Sequence, residues 1–471
     1  MMFLVNEYYK WFCYMKLILS LVRIICFTLV VVSMQAIGTT NAEWKKADEP
    51  LIELSSTDLE RYPYIAYQGL LQSLIQQNIQ AIDIFLPAYQ KLTVADPAFI
   101  RWANAIQASY AGKYREAIRL YRLLIADFPD NDIIRFQLAV TLFDNQDNEA
   151  AEKQFQKLRS GKLTQELELV LDSYLMRIQQ RDFWSFNVQL SYANENNINN
   201  APPVGTVLNG WQTARPESAT GFDYGLSAEK SWSLPHSIFT EYRFDGYGNQ
   251  YWDNHKYDQL TVRNSFGLGY RNKDIRFLML PFYEQRWYGG GSGELGGLRY
   301  YANSYGLRGE SRFQLTGNWQ LYTTGEYGIN SYLARKYLNG DEYRFSAMVI
   351  FSPSPEQYWF YRASYDQSDS RAADDSYYRY GSRAGWGYEW PYGISSVLQF
   401  SYGRKLYHGR DFFGIIQKNH EYASSITLWH RSIYFFGVTP KISWLYQKTN
   451  SNHPFYDFSK NKVLINFTKE F

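Results

Sequence analysis

From Trp184 to Phe471 the chain alternates apolar and polar residues in fourteen stretches. The connections between those stretches alternate too, first long, then short. Successive side chains of a strand point to opposite faces, so each stretch has one apolar and one polar face. Chains that fold in water rarely sustain this rhythm over so many segments. A closed β-barrel in an outer membrane requires it, because lipid meets one face and a polar lumen the other.

The first stretch sets the pattern. Trp184, Phe186, Val188, Leu190 and Tyr192 alternate with Ser185, Asn187, Gln189, Ser191 and Ala193. The tenth is expected to place Tyr380, Ala384, Trp386 and Tyr388 outward, with Arg379, Arg383 and Glu389 inward. The thirteenth is expected to face lipid with Tyr434, Phe436, Val438, Ile442, Trp444 and Tyr446. The last presents Val463, Ile465 and Phe467 and closes on Phe471, a terminal aromatic that suits recognition by the barrel assembly machinery. Short connections fall at 233–236, 272–274, 316–318, 352–357, 391–393 and 431–432. Long ones fall near 194–219, 248–256, 289–297, 331–340, 367–375, 405–417 and 448–458. Short turns belong to the periplasmic side and long loops to the cell surface. An even strand count then puts both ends of the barrel, and whatever precedes its first strand, in the periplasm.

Composition agrees. Mean hydropathy is −0.42, too polar for a bundle of membrane helices. The 42 tyrosines and 14 tryptophans suit aromatic girdles at two interfaces. A net charge of +2 gives no reason to expect nucleic acid as a partner. The only cysteines are Cys13 and Cys26, both in the N-terminal apolar segment. Residues 1–42 are read as an N-terminal extension and a secretory signal. Lys16 and Arg23 supply positive charge, the run from Ile24 to Met34 is the apolar core, and Thr40-Asn41-Ala42 is the cleavage site. Met15 is the expected start. Cleavage removes both cysteines and with them any disulfide, thiolate nucleophile or cysteine metal site.

Residues 43–181 change period. Ala105 recurs as Ala139, Ala117 as Ala151, Tyr121 as Phe155 and Leu124 as Leu158, a spacing that matches tetratricopeptide repeats. Gly112, Tyr114 and Pro129 occupy turn and terminal positions of the first unit. An earlier helical pair over 62–92 carries Pro87 in its second helix, and Thr164 is a candidate N-cap for a last helix ending near Gln180. The expected architecture is thus α+β and multidomain: a helical TPR-like solenoid over 43–181, then a 14-stranded antiparallel barrel over 182–471. Repeat geometry lines an inner groove with Phe99, Trp102, Ile106 and Tyr110, continued by Ile133, Phe136, Val140 and Phe143. Several of these could equally fill the core between repeats. As a set they suit an extended polypeptide.

Parity along the strands sends Glu241, Arg243, Arg276, Glu284, Arg286, Arg308, Glu310, Arg344, Arg362, Arg379, Arg383 and Glu389 into the lumen. Both signs occur, so ion-pair networks that rigidify the wall are expected, with a selectivity cluster as the sharper alternative. Catalysis finds little support. His430 and Ser432 are the one neighbouring nucleophile–base pair, at a turn and without a third member. The runs Gly289-Gly290-Gly291 and Gly296-Gly297 lie in a surface loop and not between strand and helix, so no phosphate cradle is expected. No cofactor is expected and no metal-ligand spacing stands out.

The order of parts resembles the surface lipoprotein assembly modifier (Slam) family. The resemblance covers nearly all of the chain after the signal. Asn194-Glu195-Asn196-Asn197-Ile198-Asn199-Asn200-Ala201-Pro202 looks like the family's Asn-rich segment after the first strand. Pro281-Phe282, Arg286-Trp287-Tyr288-Gly289, His453-Pro454-Phe455-Tyr456 and Lys460-Asn461-Lys462-Val463 also look like family segments. The chain departs in having only two clean repeats. The resemblance implies an outer-membrane translocator that delivers client proteins, either surface lipoproteins or secreted haem- or iron-binding proteins. Such a route also involves outer-membrane lipid, periplasmic chaperones and the barrel assembly machinery. Two other readings share the architecture: a polysaccharide exporter, and a diffusion porin with a structural periplasmic domain. A scaffolding protein is a third.

Overall fold

The computed structural model describes residues 59, 61–93, 95–161, 164–290 and 297–470. The expected signal segment with Cys13 and Cys26, the middle of the glycine-rich loop, and Phe471 with its expected assembly role lie outside the described residues. The chain divides into two compact units, one helical and one a barrel.

Among the described residues seven helices make up the N-terminal series: α1 (Pro63–Gln76), α2 (Ile79–Gln90), α3 (Pro97–Tyr110), α4 (Tyr114–Asp127), α5 (Asp132–Asp144), α6 (Asn148–Arg159) and α7 (Gln165–Arg181). Their starts are written in the sequence. Asn78, Asp96 and Asn131 each accept a hydrogen bond from a first-turn amide, and Pro97 follows Asp96 at the position where a missing N–H costs nothing. Thr164 caps α7 as expected, its Oγ1 accepting from the Leu167 amide at 3.4 Å. Pro87 sits inside α2, and the helix runs on through it to Gln90. Burial follows the repeat: Ala105 and Ala139, Ala117 and Ala151, Tyr121 and Phe155, and Leu124 and Leu158 are all buried. The small members let neighbouring helices approach, and the large ring fills the space beside them.

The barrel strands are β1 (Trp184–Glu195), β2 (Ala219–Ser233), β3 (Ile238–Tyr251), β4 (Gln259–Arg271) and β5 (Ile275–Tyr288). They continue with β6 (Arg299–Gln314), β7 (Trp319–Tyr332), β8 (Gly340–Ser354), β9 (Gln357–Ser370) and β10 (Tyr377–Glu389). The last four are β11 (Ile394–Arg410), β12 (Ile416–His430), β13 (Lys441–Ser451) and β14 (Phe458–Glu470). Each pairs antiparallel with the next, and β14 returns to β1 from Asn187↔Glu470 to Glu195↔Lys462, closing the barrel. Among the described residues the barrel leaves no sheet edge open, which is the condition for a sheet in lipid. Along β1 the expected alternation holds: Trp184, Phe186, Val188 and Leu190 are exposed on the outer face, while Ser191, Ala193 and Glu195 are buried on the inner one.

Two places depart from simple alternation. Pro281 has no N–H to give, and the β4–β5 ladder lacks the pairs between Ser265↔Phe282 and Leu268↔Met279, whereas the β5–β6 side is continuous past Pro281↔Leu307. The thirteenth strand also begins later than its apolar residues predict. Tyr434, Phe436 and Val438 belong to a ten-residue connection, 431–440, and not to the lipid face of β13. Phe436 (φ 52°) and Gly437 (φ 83°) form a tight turn closed by the Phe435↔Val438 bridge. The left-handed conformation required there is open to glycine but strained for a β-strand residue, and it reverses the chain before β13 begins.

Candidate functional site

The lumen of the barrel holds the densest chemistry, and strand parity builds it. On β2 to β8 every inward row carries at least one charge, and the rows join into one chain of ion pairs. Glu241 is fully buried and meets Arg243 and Arg276. Arg243 reaches Glu310 at 3.1 Å, and Arg308 holds Glu310 at 2.6 Å. Glu326 then collects three guanidinium groups, from Arg263 at 2.9 Å, Arg308 at 3.3 Å and Arg344 at 3.1 Å. Arg263 also pairs with Glu284 at 2.7 Å, which lies 3.5 Å from Arg286, and Arg344 pairs with Glu342 at 2.6 Å. A buried carboxylate is tolerated only with such partners, since desolvation of a lone charge costs several kcal/mol.

The same wall is packed as well as charged. Phe239, Leu278 and Leu280 are buried together on the inner face. The guanidinium groups of Arg271 and Arg276 lie 4.9 and 5.1 Å from the Phe239 ring, and that of Arg263 lies 4.1 Å from Phe282. The arc from β12 through β14 to β1 is different. Its inner face carries hydroxyl and amide pairs: Thr427 with Ser443 at 2.8 Å, Asn466 to Ser443 at 2.9 Å, and Ser191 to Asn466 at 2.7 Å across the β1–β14 junction. At the long-loop end Glu195 joins that junction to Lys460 at 2.7 Å and, with Asp223, to Lys462.

Long loop 196–218 covers part of the mouth, and its asparagines explain how. Asn197 is buried and exchanges hydrogen bonds with Ala201 (2.8 and 2.9 Å), while also donating to the Ser459 carbonyl at 3.2 Å. Asn199 donates to the Arg215 carbonyl and accepts from the Glu217 amide. Glu217 in turn is held by Lys256 at 2.6 Å and by Asn254 at 3.1 Å. Partial desolvation favours the neutral form of Glu217, but these two hydrogen bonds and the Lys256 charge outweigh it and hold its carboxyl below the usual 4.5. Asn199, Asn200 and Thr213 of this loop face Lys405, Tyr407, Gln417 and Glu421 of the wall across a cavity of about 560 Å³.

Of the lumen charges read from parity, Glu241, Arg243, Arg276, Glu284, Arg286, Arg308, Glu310 and Arg344 fall in the ion chain. Arg379 pairs separately with Asp366 at 3.2 Å and Glu421 at 2.7 Å, and Glu389 pairs with Arg431 at 3.2 Å. Arg362 and Arg383 join neither group. Arg263 and Glu326, at the centre of the chain, escape the sequence reading although their parity matches that of Thr261 and Asn330 on the same faces. The eight expected groove residues separate by burial. Trp102, Ile106 and Phe143 are core; the Trp102 Nε1 donates to Gln137 at 2.6 Å, and Gln137 donates to the Leu74 carbonyl at 3.0 Å. Phe99, Phe136 and Val140 are half-buried, whereas Tyr110 and Ile133 are exposed. At the turn after β12, Ser432 Oγ lies 2.8 Å from His430 Nδ1, but the other ring nitrogen meets the Tyr392 carbonyl at 2.8 Å and no carboxylate. That arrangement fixes the ring without supplying the acid of a triad.

Comparison with known proteins matches both units. The family described as "Surface lipoprotein assembly modifier" covers residues 184–471, beginning at the first residue of β1. The family of its "N-terminal TPR repeats" covers residues 52–155. The chain is 41% identical over 420 residues to surface lipoprotein assembly modifier 1 of Haemophilus influenzae, covering 89% of this chain and 87% of the relative. It is 30% identical to surface lipoprotein assembly modifier 1 of Neisseria meningitidis, covering 89% and 86%. It is 23% identical to the hemophilin secretion modulator of Acinetobacter baumannii, covering 88% and 87%.

Proposed function

Because the chain belongs to the surface lipoprotein assembly modifier family, we propose that it acts in the outer membrane as a translocator for specific client proteins. The clients are surface lipoproteins or secreted haem-binding proteins, the two classes named by its relatives. The observation that carries this reading is the pairing of a TPR-type helical unit with a closed fourteen-stranded barrel in one chain. The helical unit stands in the periplasm and receives the client; the barrel delivers it. Half-buried Phe99, Phe136 and Val140 with exposed Tyr110 and Ile133 form the receiving surface. Barrel assembly machinery and periplasmic chaperones serve the route on the inner side. No step of this route requires bond chemistry by the protein itself.

The ion chain and apolar packing on β2 to β8 argue against a free diffusion porin. Purified protein in liposomes is expected to give no swelling with small sugars. Swelling as fast as with a general porin would overturn the translocator reading in favour of the porin.

A further inference from the structure

Lumen charges alternate in sign from β2 to β8, and the alternation breaks at β9. Arg362 on β9 and Arg383 on β10 are register partners on the inner face. Directly opposed residues of an antiparallel pair hold their Cβ atoms about 5 Å apart, and like charges so placed repel. No described carboxylate lies within ion-pair distance of either arginine. The charges that act on Arg362 are those of Arg383 and Arg308, both positive. Arg308 is already committed to Glu310 and Glu326. The Arg362 Nε is buried and has no hydrogen-bond partner. Among the other described inward arginines of β3 to β10, Arg312 alone also lacks a carboxylate, and it lies over the Tyr322 ring at 5.8 Å.

Arg383 is exposed and Arg362 half-buried, and Ser401 on β11 is the other register partner of Arg383. Met348, the β8 partner of Arg362, is buried. On β9 the Phe360 ring lies across Gly385, where a Cβ would meet it at 2.3 Å, so glycine is what makes room for the ring. We propose that Arg362 and Arg383 form a receptor for an oxyanion, a carboxylate or phosphate group presented within the lumen. Each guanidinium offers a planar fork of N–H donors that fits two oxygens of such a group. One anion bound between them extends to β9 and β10 the alternation of charge that β2 to β8 maintain. The proposal does not depend on what the barrel delivers.

Residue-resolved modification tests it. The full-length protein in detergent micelles is treated with phenylglyoxal, and adducts are mapped by mass spectrometry, with inorganic phosphate or a hexaglutamate peptide as probe. Among the lumen arginines, Arg362 and Arg383 are expected to react first, and a probe is expected to slow both about tenfold while leaving Arg243 and Arg263 unchanged. In R383Q, checked for folding by heat-shifted gel migration, protection at Arg362 is expected to be lost. Protection by phosphate alone assigns the site to free or phosphoryl oxyanions, and protection by the peptide assigns it to polypeptide carboxylates; either supports the receptor. Labelling that neither probe slows, or slowing spread evenly over all lumen arginines, overturns it.

Discussion

Glu326 is the residue on which the lumen wall most depends. Its carboxylate faces Arg263, Arg308 and Arg344 at once, with a side chain only 8% exposed. Glu326→Gln keeps the volume but leaves three guanidinium groups short of a counter-charge. The expected loss is about 3 kcal/mol of barrel stability, at the low end for breaking a buried pair because Arg344 is half-exposed. Urea unfolding in micelles followed by tryptophan fluorescence measures it, and an unchanged midpoint would refute the assignment. In the helical unit, Gln137 joins the Trp102 indole to the Leu74 carbonyl. Gln137→Leu removes both links and strands the Trp102 indole N–H, while the Leu74 carbonyl keeps the Gln77 amide, for an expected loss of about 1–3 kcal/mol, read from the melting of the helical signal. These two networks also mark how far residues can be read in isolation. Parity gives a side chain's face, and so it puts Arg308 and Glu310 on the same one. It says nothing of which strands face each other, and the bond from Arg263 on β4 to Glu326 on β7 depends on curvature that only the closed sheet provides.

At the scale of elements, repeats and alternation were legible because each rests on local geometry, a period of two or a helix pair. Ala105 with Ala139 and Tyr121 with Phe155 reached the core as their spacing requires. The start of β13 was not legible, since Tyr434 and Phe436 have the composition of a strand and only the backbone at Phe436–Gly437 shows a turn. Elements also differ in what they can yield. The ion chain ties β2 to β8 together, whereas the β1–β14 junction is held on its inner face by Ser191–Asn466 and the Glu195 pairs. A client too large for the packed lumen is therefore expected to use the junction. Introducing S191C with N466C staples register partners. Oxidation is expected to stop delivery with the barrel still folded, and reductant to restore it. Full delivery by the stapled protein would exclude this path. Loop 196–218 carries its own signature of pH. The folded Glu217 carboxyl titrates below its ordinary value, so its bond to Lys256 stabilises the loop above about pH 4.5 and is lost as pH falls through the lowered value. Hydrogen-exchange protection in the loop, taken relative to the intrinsic exchange rate at each pH, is expected to hold from pH 7 to about 5 and to fall at lower pH. K256M should weaken that dependence, Asn254 still holding Glu217, and an unaltered profile would count against the latch.

At the scale of the whole molecule, the proposed function joins a receiving surface to an outlet. Y110S with I133S changes two exposed residues and leaves the core in place. Capture of a client is expected to weaken about tenfold with the helical spectrum unchanged, whereas equal capture would move the receiving surface elsewhere. The central claim, delivery of specific clients to the cell surface, is tested most directly by protease shaving of intact cells with and without the gene, together with analysis of the medium. The account predicts that deletion leaves at least one lipoprotein synthesised but protected from protease, or one secreted protein retained, and that the intact gene restores it. A surface and medium unchanged by deletion would contradict it.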